Sequence, residues 1–278
     1  MSSTSTSDDA TLTGLPLMVS ATLTLAEREL RRFFRQRTRI IGALGQPVMF
    51  WLLFGTGLRG SFQPPAWGVG QSYAEYFFPG VAVMILLFTA IFSTISIIED
   101  RREGFLQGVL VAPVPRAAIV LGKVLGGTAL ALLQVSVFWL LAPLAGVWTG
   151  PLEIAALALF FSLSGMALTA LGFAIAWPMD STQGFHAIMS VVLMPMWLLS
   201  GAFFPAEGAG PLGWIMRLNP MTYMVAGSRR ILYHAREIPA TMDMPPLWVC
   251  VLVVAVFGGA CLWVGLQMVE RRVTRDER

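Results

Sequence analysis

Six long stretches of this sequence contain no Asp, Glu, Lys or Arg, and they constrain the fold more than any other feature. Each has at least 19 residues, and about 20 apolar residues in a helix cross the roughly 30 Å hydrocarbon core of a bilayer. Strands of membrane barrels are shorter, about 10 residues, and alternate apolar with polar side chains. The stretches therefore predict an all-α membrane protein. They cover residues 40–58, 76–98, 124–152, 154–179, 181–206 and 244–269.

Composition supports this class, because only 13% of the residues are charged, against about 25% in soluble domains. We predict a transmembrane domain at 40–272, preceded by a disordered tail at 1–19 and an amphipathic helix at 20–39, and followed by a tail at 273–278. Residues 1–20 have neither a basic residue nor a continuous apolar core, so no signal peptide is expected. The six predicted spans are about 40–58, 76–98, 124–147, 154–177, 185–204 and 247–269.

The basic residues fall mainly on one side of the predicted bundle. Six spans place both termini on the same side, and that side carries 14 of the 19 Lys and Arg residues. Positive charge is retained in the cytoplasm, so we expect both termini inside, in a plasma (inner) membrane. On the outer side, residues 205–246 predict two short re-entrant helices, with Asn219 as an N-cap and Pro220 at the first helical position.

Residues 20–38 predict an amphipathic helix in the cytoplasmic interface, with its arginines toward anionic headgroups. A plain basic segment beside the membrane is the alternative. The apolar face would comprise Leu23, Ala26, Leu30, Phe33 and Phe34, and the basic face Arg28, Arg31, Arg32 and Arg35.

The sequence contains no energy-converting motif of its own. The only likeness to a P-loop, Gly122-Lys123, is followed by Val124 instead of Ser or Thr. The predicted spans lack the acidic and basic residues that ion-coupled carriers use as relays. Cys250 and Cys261 are interpreted as helix-packing residues, so no metal is expected. We expect this chain to bind no cofactor and to perform no catalysis, and Asp180 with His186 is the closest approach to a catalytic pair.

Residues 99–123 form a charged and then apolar connection on the predicted cytoplasmic side. Gly104 permits a helix break, residues 105–111 are long enough for about two turns, and Pro113 and Pro115 prevent continuation. A short helix parallel to the membrane is predicted. Its partly exposed apolar residues, rimmed by charge, indicate a docking surface, with an ordinary interfacial loop as the alternative. The apolar residues are Phe105, Leu106, Val109 and Leu110.

Two groups of residues carry a resemblance to a known family. The first is Glu99-Asp100-Arg101-Arg102-Glu103-Gly104, followed by Ala112-Pro113-Val114-Pro115-Arg116 and Gly122-Lys123. The second is MPMWLLSGAFFP at 194–205 with LNPMTYMVAGSRRIL at 218–232. Over about residues 25–272, the sequence with these motifs resembles the membrane subunit of ABC-2 type exporters.

The resemblance implies a permease that forms a substrate path and is driven by a separate P-loop subunit, which binds ATP-Mg. Residues 104–112 would be the coupling helix, residues 99–103 its charged approach, and Arg116 and Lys123 its far side. A second permease copy and membrane lipid are the other expected partners, and no nucleic acid is expected. An ion-coupled carrier or channel without an ATPase, and a membrane enzyme acting on lipids, are the alternatives.

The expected substrate is an amphiphilic drug, a lipid or a glycan. Gln134 is predicted to hydrogen-bond to a neighbouring helix, with substrate contact as the alternative. Gly122 and Gly126 form a Gly-x-x-x-Gly step that permits close helix packing, with the partner helix unassigned. The candidate path residues, which plain packing would also explain, are Phe88, Phe92, Gln134, Met189 and Met196.

Overall fold

A computed structural model describes residues 15–35, 37–57, 73–112, 114–203, 210–233 and 244–276, without the side chains of 37–44, 46, 110 and 272–276. Within these ranges the chain is helical and contains no strand, which confirms the all-α prediction there. The helices are α1 Leu15–Arg35, α2 Arg37–Gly57, α3 Tyr73–Ser93, α4 Ile95–Arg102, α5 Phe105–Val111, α6 Arg116–Trp139, α7 Pro151–Ala176, α8 Thr182–Leu198, α9 Pro211–Leu218, α10 Pro220–Leu232 and α11 Leu247–Asp276, with a 3-10 turn at Ala142–Ala145.

Four helical segments of the described chain are long and apolar enough to cross a membrane. They are Tyr73–Arg102, which joins α3 to α4, and Arg116–Trp139, Pro151–Ala176 and Leu247–Arg271. The other two predicted spans fall on α2, whose apolar part is Pro47–Gly57, and on α8, which has 17 residues. The chain is therefore an all-helical membrane protein, and the full six-span topology stays a prediction.

Helix α3 forms the centre of the bundle. In the most apolar 18-residue stretch of Tyr73–Arg102, 83% is buried inside the protein, whereas the corresponding stretch of α11 is only 17% buried. A helix that is apolar on all sides is typical of a protein core or a membrane span, and α3 is enclosed by α2, α6, α7 and α10. Helix α11 packs against α7 and α10 and leaves Trp248, Val256 and Trp263 exposed on its other side.

Several helices extend beyond the boundaries predicted from sequence. Helix α1 begins at Leu15 instead of residue 20, because Pro16 is tolerated in a first turn; residues 1–14 lie outside the described chain. Helix α6 begins at Arg116, whereas the charge-free criterion delayed the predicted span until after Lys123. Helix α11 continues to Asp276, through most of the predicted tail.

At the end of the bundle remote from α5, one buried arginine joins α10 to its neighbours. Arg229 is 4% exposed and donates to the carbonyl oxygens of Gly201 at 2.9 Å and of Tyr76 and Ala202 at 3.3 Å. Its guanidinium carbon lies 4.1 Å from the centroid of the Tyr76 ring. Asn219 caps α10 as predicted, since its side chain accepts from the Met221 amide at 3.0 Å.

Candidate functional site

Asp100 on α4 is the centre of a group of interlocked charges. Its side chain is fully buried and accepts hydrogen bonds from Arg28 at 2.7 and 3.0 Å and from Arg32 at 2.8 Å, both on α1. Lys123 on α6 donates to it at 2.6 Å. Arg32 also binds Glu99 at 2.8 Å. Three helices that are distant in sequence therefore converge on one carboxylate.

Lys123 joins a second buried carboxylate to the same group. Its ammonium lies 2.6 Å from Glu29 and 2.9 Å from the Ser96 hydroxyl, and both Lys123 and Glu29 are only 5% exposed. We call Arg28, Glu29, Arg32, Glu99, Asp100 and Lys123 the ion-pair cluster.

Two glycines allow α1 to approach α6 closely enough for these bonds. A Cβ added at Gly122 would lie 2.6 Å from the Cβ of Leu25, and one added at Gly126 would lie 2.9 Å from the Cβ of Glu29. The Gly-x-x-x-Gly step predicted from sequence is thus the contact between α6 and α1.

The ion-pair cluster fixes the register of α1, α4 and α6. Removing an ion from water costs several kcal/mol, and good geometry with additional hydrogen bonds is needed to offset that cost. The hydrogen bonds to Asp100 raise the pKa of Arg28 above its ordinary value. Because a shift of one helix would strand a buried charge, the arrangement favours movement of the three helices as a unit.

The predicted orientation of the α1 arginines is wrong for Arg28 and Arg32, which bind carboxylates of the same chain. The buried residues of α1 are Thr22, Ala26, Glu29 and Phe33, while Leu23 and Phe34 are exposed. Of the apolar face predicted for the membrane interface, Ala26 and Phe33 are instead buried inside the protein. They share that buried face with Glu29, the partner of Lys123. Arg31 is mostly exposed and pairs with Glu27, and Arg35 is exposed.

The other side of α4 is bound to the turn between α7 and α8. Arg101 donates to the carbonyl oxygen of Met179 and to the carboxylate of Asp180, both at 3.0 Å, and to the carbonyl of Trp177. Arg102 donates to the Asp180 carbonyl at 2.8 and 3.1 Å. Four of the five charged residues in the predicted approach therefore make bonds within the chain, and Glu103, 62% exposed, lies 3.6 Å from Arg32.

Helix α5 has the bounds expected from its sequence. Gly104 has φ +78°, in the left-handed region that a residue without a Cβ adopts readily, and Ala112 is extended. These two residues turn the chain out of α4 and into the proline-containing connection before α6.

The structure changes which α5 residues are accessible. Leu106, expected to be partly exposed, is buried, because it joins the main core. Phe105 is half-buried beneath the guanidinium of Arg28, 3.6 Å from its ring centroid, and Val109 packs against the core. The outward residues are Gln107, Gly108 and Val111, with Val111 86% exposed. The side chain of Leu110 lies outside the described residues, and Arg116 is half-buried at the start of α6.

A cavity of about 520 Å³ lies beside the ion-pair cluster, between α1, α2, α3, α4, α6 and α8. Three predicted path residues, Phe88, Phe92 and Gln134, line it. Gln134 also accepts a hydrogen bond from the Thr89 hydroxyl of α3, which confirms the predicted bond to a neighbouring helix. Met189 is buried in the core and Met196 packs against it. Neither methionine is among the residues that line the cavity.

Sequence reasoning missed Glu29 and the role of Lys123. Glu29 lies on a buried face of α1 with the apolar residues Ala26 and Phe33. Lys123 lies on a buried face of α6 with Val120 and Val124. Such isolated opposite charges indicate a buried pair, but their distance along the chain conceals the contact. Asp180 pairs with Arg101, while His186 lies against the ring of Phe92 at 5.5 Å between centroids.

Comparison with known proteins agrees with this architecture. A putative transport permease, ycf38, of Cyanophora paradoxa is 27% identical over 127 residues, which is 44% of this chain and 42% of that relative. The alignment thus covers less than half of the relative's length. Residues 20–233, which include the ion-pair cluster, α5 and the cavity, match the ABC-2 type transporter family, and the chain belongs to that family.

Proposed function

We propose that this chain is the permease subunit of an ATP-driven exporter and that α5 transmits the motion of a separate P-loop ATPase. The observation that carries the proposal is the attachment of α5. It follows a fixed turn at Gly104, and α4 before it is bonded to α1 and α6 on one side and to the α7–α8 turn on the other. A push on α5 would therefore reach four parts of the bundle at once.

The end of the bundle that carries α4 and α5 is cytoplasmic in this proposal, in accordance with the positive-inside rule. ATP binding on the partner would shift the population between inward-open and outward-open arrangements. A second copy of the permease completes the path. We place this second copy against α8, where Ile188, Val191 and Val192 form an exposed apolar surface.

An ion-coupled carrier requires ionisable groups inside the bundle, and the ion-pair cluster supplies such groups. Every carboxylate in the cluster is, however, bonded to at least one cation. That pairing suits a fixed connection between helices better than a relay that must gain and lose protons. Transport in sealed vesicles that follows an imposed ion gradient without ATP would favour the carrier.

The docking of α5 can be tested with Val111→Asp, which places a charge on its most exposed apolar residue. We expect a P-loop ATPase to be encoded beside the permease gene. When the two are co-expressed, the variant should recover at least about tenfold less ATPase on purification, because desolvating an unpaired carboxylate in an interface costs a few kcal/mol.

Leu218→Asp is the matched control, since Leu218 is 85% exposed on α9 and α9 is outside in the proposal. This control should retain the ATPase. Equal recovery of the ATPase with Val111→Asp and with the unmodified chain would contradict the docking assignment.

A further inference from the structure

We propose that the cavity beside the ion-pair cluster binds a lipophilic organic cation, with its cationic group at the ion-pair cluster and its apolar body toward the middle of the bundle. The inference rests on the proposed function, because it names the substrate class of that exporter.

The size and walls of the cavity suit an elongated apolar body. Its volume of about 520 Å³ lies within the range of about 300–1,000 Å³ for small-molecule sites. Along the α3–α4 segment the lining extends from Met84 to Glu99, about 22 Å at 1.5 Å per residue. Phe88 and Phe92 adjoin each other at 5.6 Å between ring centroids. Aromatic faces attract cations within about 6 Å of their centroids.

The charges of the lining favour a cation. Two carboxylates, Glu29 and Glu99, and one guanidinium, Arg32, face the cavity. Arg32 is already bonded to Glu99 and to Asp100, so an anion would have to displace a carboxylate to reach it. Lys123 and Arg28 both contact Oε1 of Glu29, and within the described chain Oε2 accepts no hydrogen bond. The carboxylate of Glu29 therefore retains an acceptor for an incoming cation.

A buried amide supplies an independent indication of a ligand. Gln134 is 2% exposed, and its Nε2 has no hydrogen-bond partner within the described chain, although its Oε1 accepts from Thr89. Leaving a buried donor unpaired costs free energy. Gln134 and Thr89 both line the cavity, so a bound ligand can reach this donor. A ligand with a carbonyl, ether or hydroxyl oxygen in its middle would satisfy this donor.

The charge preference can be measured without any ATPase. Tetraphenylphosphonium and tetraphenylborate have nearly the same size and shape and opposite charge. Binding of each radiolabelled ion to the permease in phosphatidylcholine nanodiscs, minus binding to empty nanodiscs, should show saturable binding of the cation, at least about tenfold tighter than that of the anion.

Variants locate the site. Glu29→Gln should weaken tetraphenylphosphonium binding about tenfold, whereas Glu27→Gln should not change it, because Glu27 lies on the same helix but outside the cavity and pairs with Arg31. Phe88→Leu together with Phe92→Leu should weaken cation binding about threefold to thirtyfold through loss of the ring faces. The phenylalanine variant leaves every charge in place, so it tests the site even where Glu29→Gln does not fold.

Equal binding of the two ions, no saturable cation binding, or equal effects of Glu29→Gln and Glu27→Gln would overturn the inference. None of these results would affect the ATPase recovery that tests the proposed function. Conversely, cation binding by a permease that recovers no ATPase would retain the inference and reject the proposed coupling.

Discussion

The two ends of the bundle bury positive charge in opposite ways. At the end near α5, Lys123 is bonded to the carboxylates of Glu29 and Asp100, and Asp100 is itself bonded to two arginines of α1. At the other end, Arg229 has no carboxylate partner within the described chain and is held by three carbonyl oxygens and the face of Tyr76. One end joins helices through mutually dependent ions, and the other through a single side chain and the backbone.

The two ends therefore respond differently to the loss of one side chain. Loss of one member of an ion-pair network strands its partner as an uncompensated buried charge. Loss of Arg229 leaves only neutral carbonyl groups without their donors, and the cost per unpaired group is smaller. The end that carries α5 should therefore be the more cooperative and the more sensitive to single substitutions.

Asp100→Asn should reduce stability more than any other substitution that tests this contrast. The substitution leaves Arg28, Arg32 and Lys123 facing a neutral amide, and we expect the free energy of unfolding to fall by about 3–5 kcal/mol. Thermal unfolding of the detergent-solubilised protein measures the loss. Asp180→Asn is the control, because Asp180 also pairs with an arginine but is 81% exposed, and its melting temperature should be unchanged. Similar melting temperatures for the two variants would contradict the buried network.

Arg229→Met should have an intermediate effect and would sharpen the contrast. The substitution frees the carbonyl groups of Gly201, Tyr76 and Ala202 without stranding a charge, so we expect a loss of about 3 kcal/mol or less. Arg230→Met provides a comparison at the neighbouring position. Arg230 is only half-buried, so its substitution should lower the free energy of unfolding by less than Arg229→Met does. A loss for Arg229→Met that exceeds the loss for Asp100→Asn, measured by the same unfolding assay, would reverse the comparison.

The smallest of the three effects is expected from Gly122→Ala, which pushes α1 away from α6 and so stretches the ion-pair cluster from outside. The added methyl would lie 2.6 Å from the Cβ of Leu25 and 3.1 Å from the carbonyl oxygen of Thr22. Overpacking of this kind costs at least about 1 kcal/mol.

Gly259→Ala on α11 is the matched control for that substitution. Nothing lies within 4 Å of a Cβ there, and alanine favours a helix over glycine, so its stability should not decrease. Hydrogen exchange should also show faster opening of α1 in Gly122→Ala while α10 is unaffected. Faster exchange in both helices would mean that the two ends are not independent.

Much of the fold follows from local sequence, because the absence of charge over 19 or more residues, the Gly104 break and the Asn219-Pro220 start are features of short segments. The α5 bounds and the Asn219 cap follow in this way. What could not be predicted depends on contacts between distant segments. The predicted span began only after Lys123, because Lys123 is charged. Its partner Glu29 is 94 residues away, and no local pattern shows that the charge is compensated.

The same limit applies to the candidate site. Phe88, Phe92 and Gln134 were selected for their positions on predicted spans, and all three line the cavity. The expected partial exposure is wrong for Leu106, because its burial depends on the core beneath it, whereas Phe105 and Val109 are partly exposed as predicted. The face of a seven-residue helix that turns inward is decided by tertiary packing, and its own sequence contains too few residues to reveal it.

The positive φ of Gly104 has a consequence for engineering. The direction in which α5 leaves α4 is set by a backbone angle at a residue without a side chain, so it is independent of the outward residues that follow. Chimeric permeases that exchange residues 107, 108 and 111 while retaining Gly104 and Leu106 should keep the same turn. Under the proposed function, this short segment is therefore the place where the choice of ATPase partner could be changed.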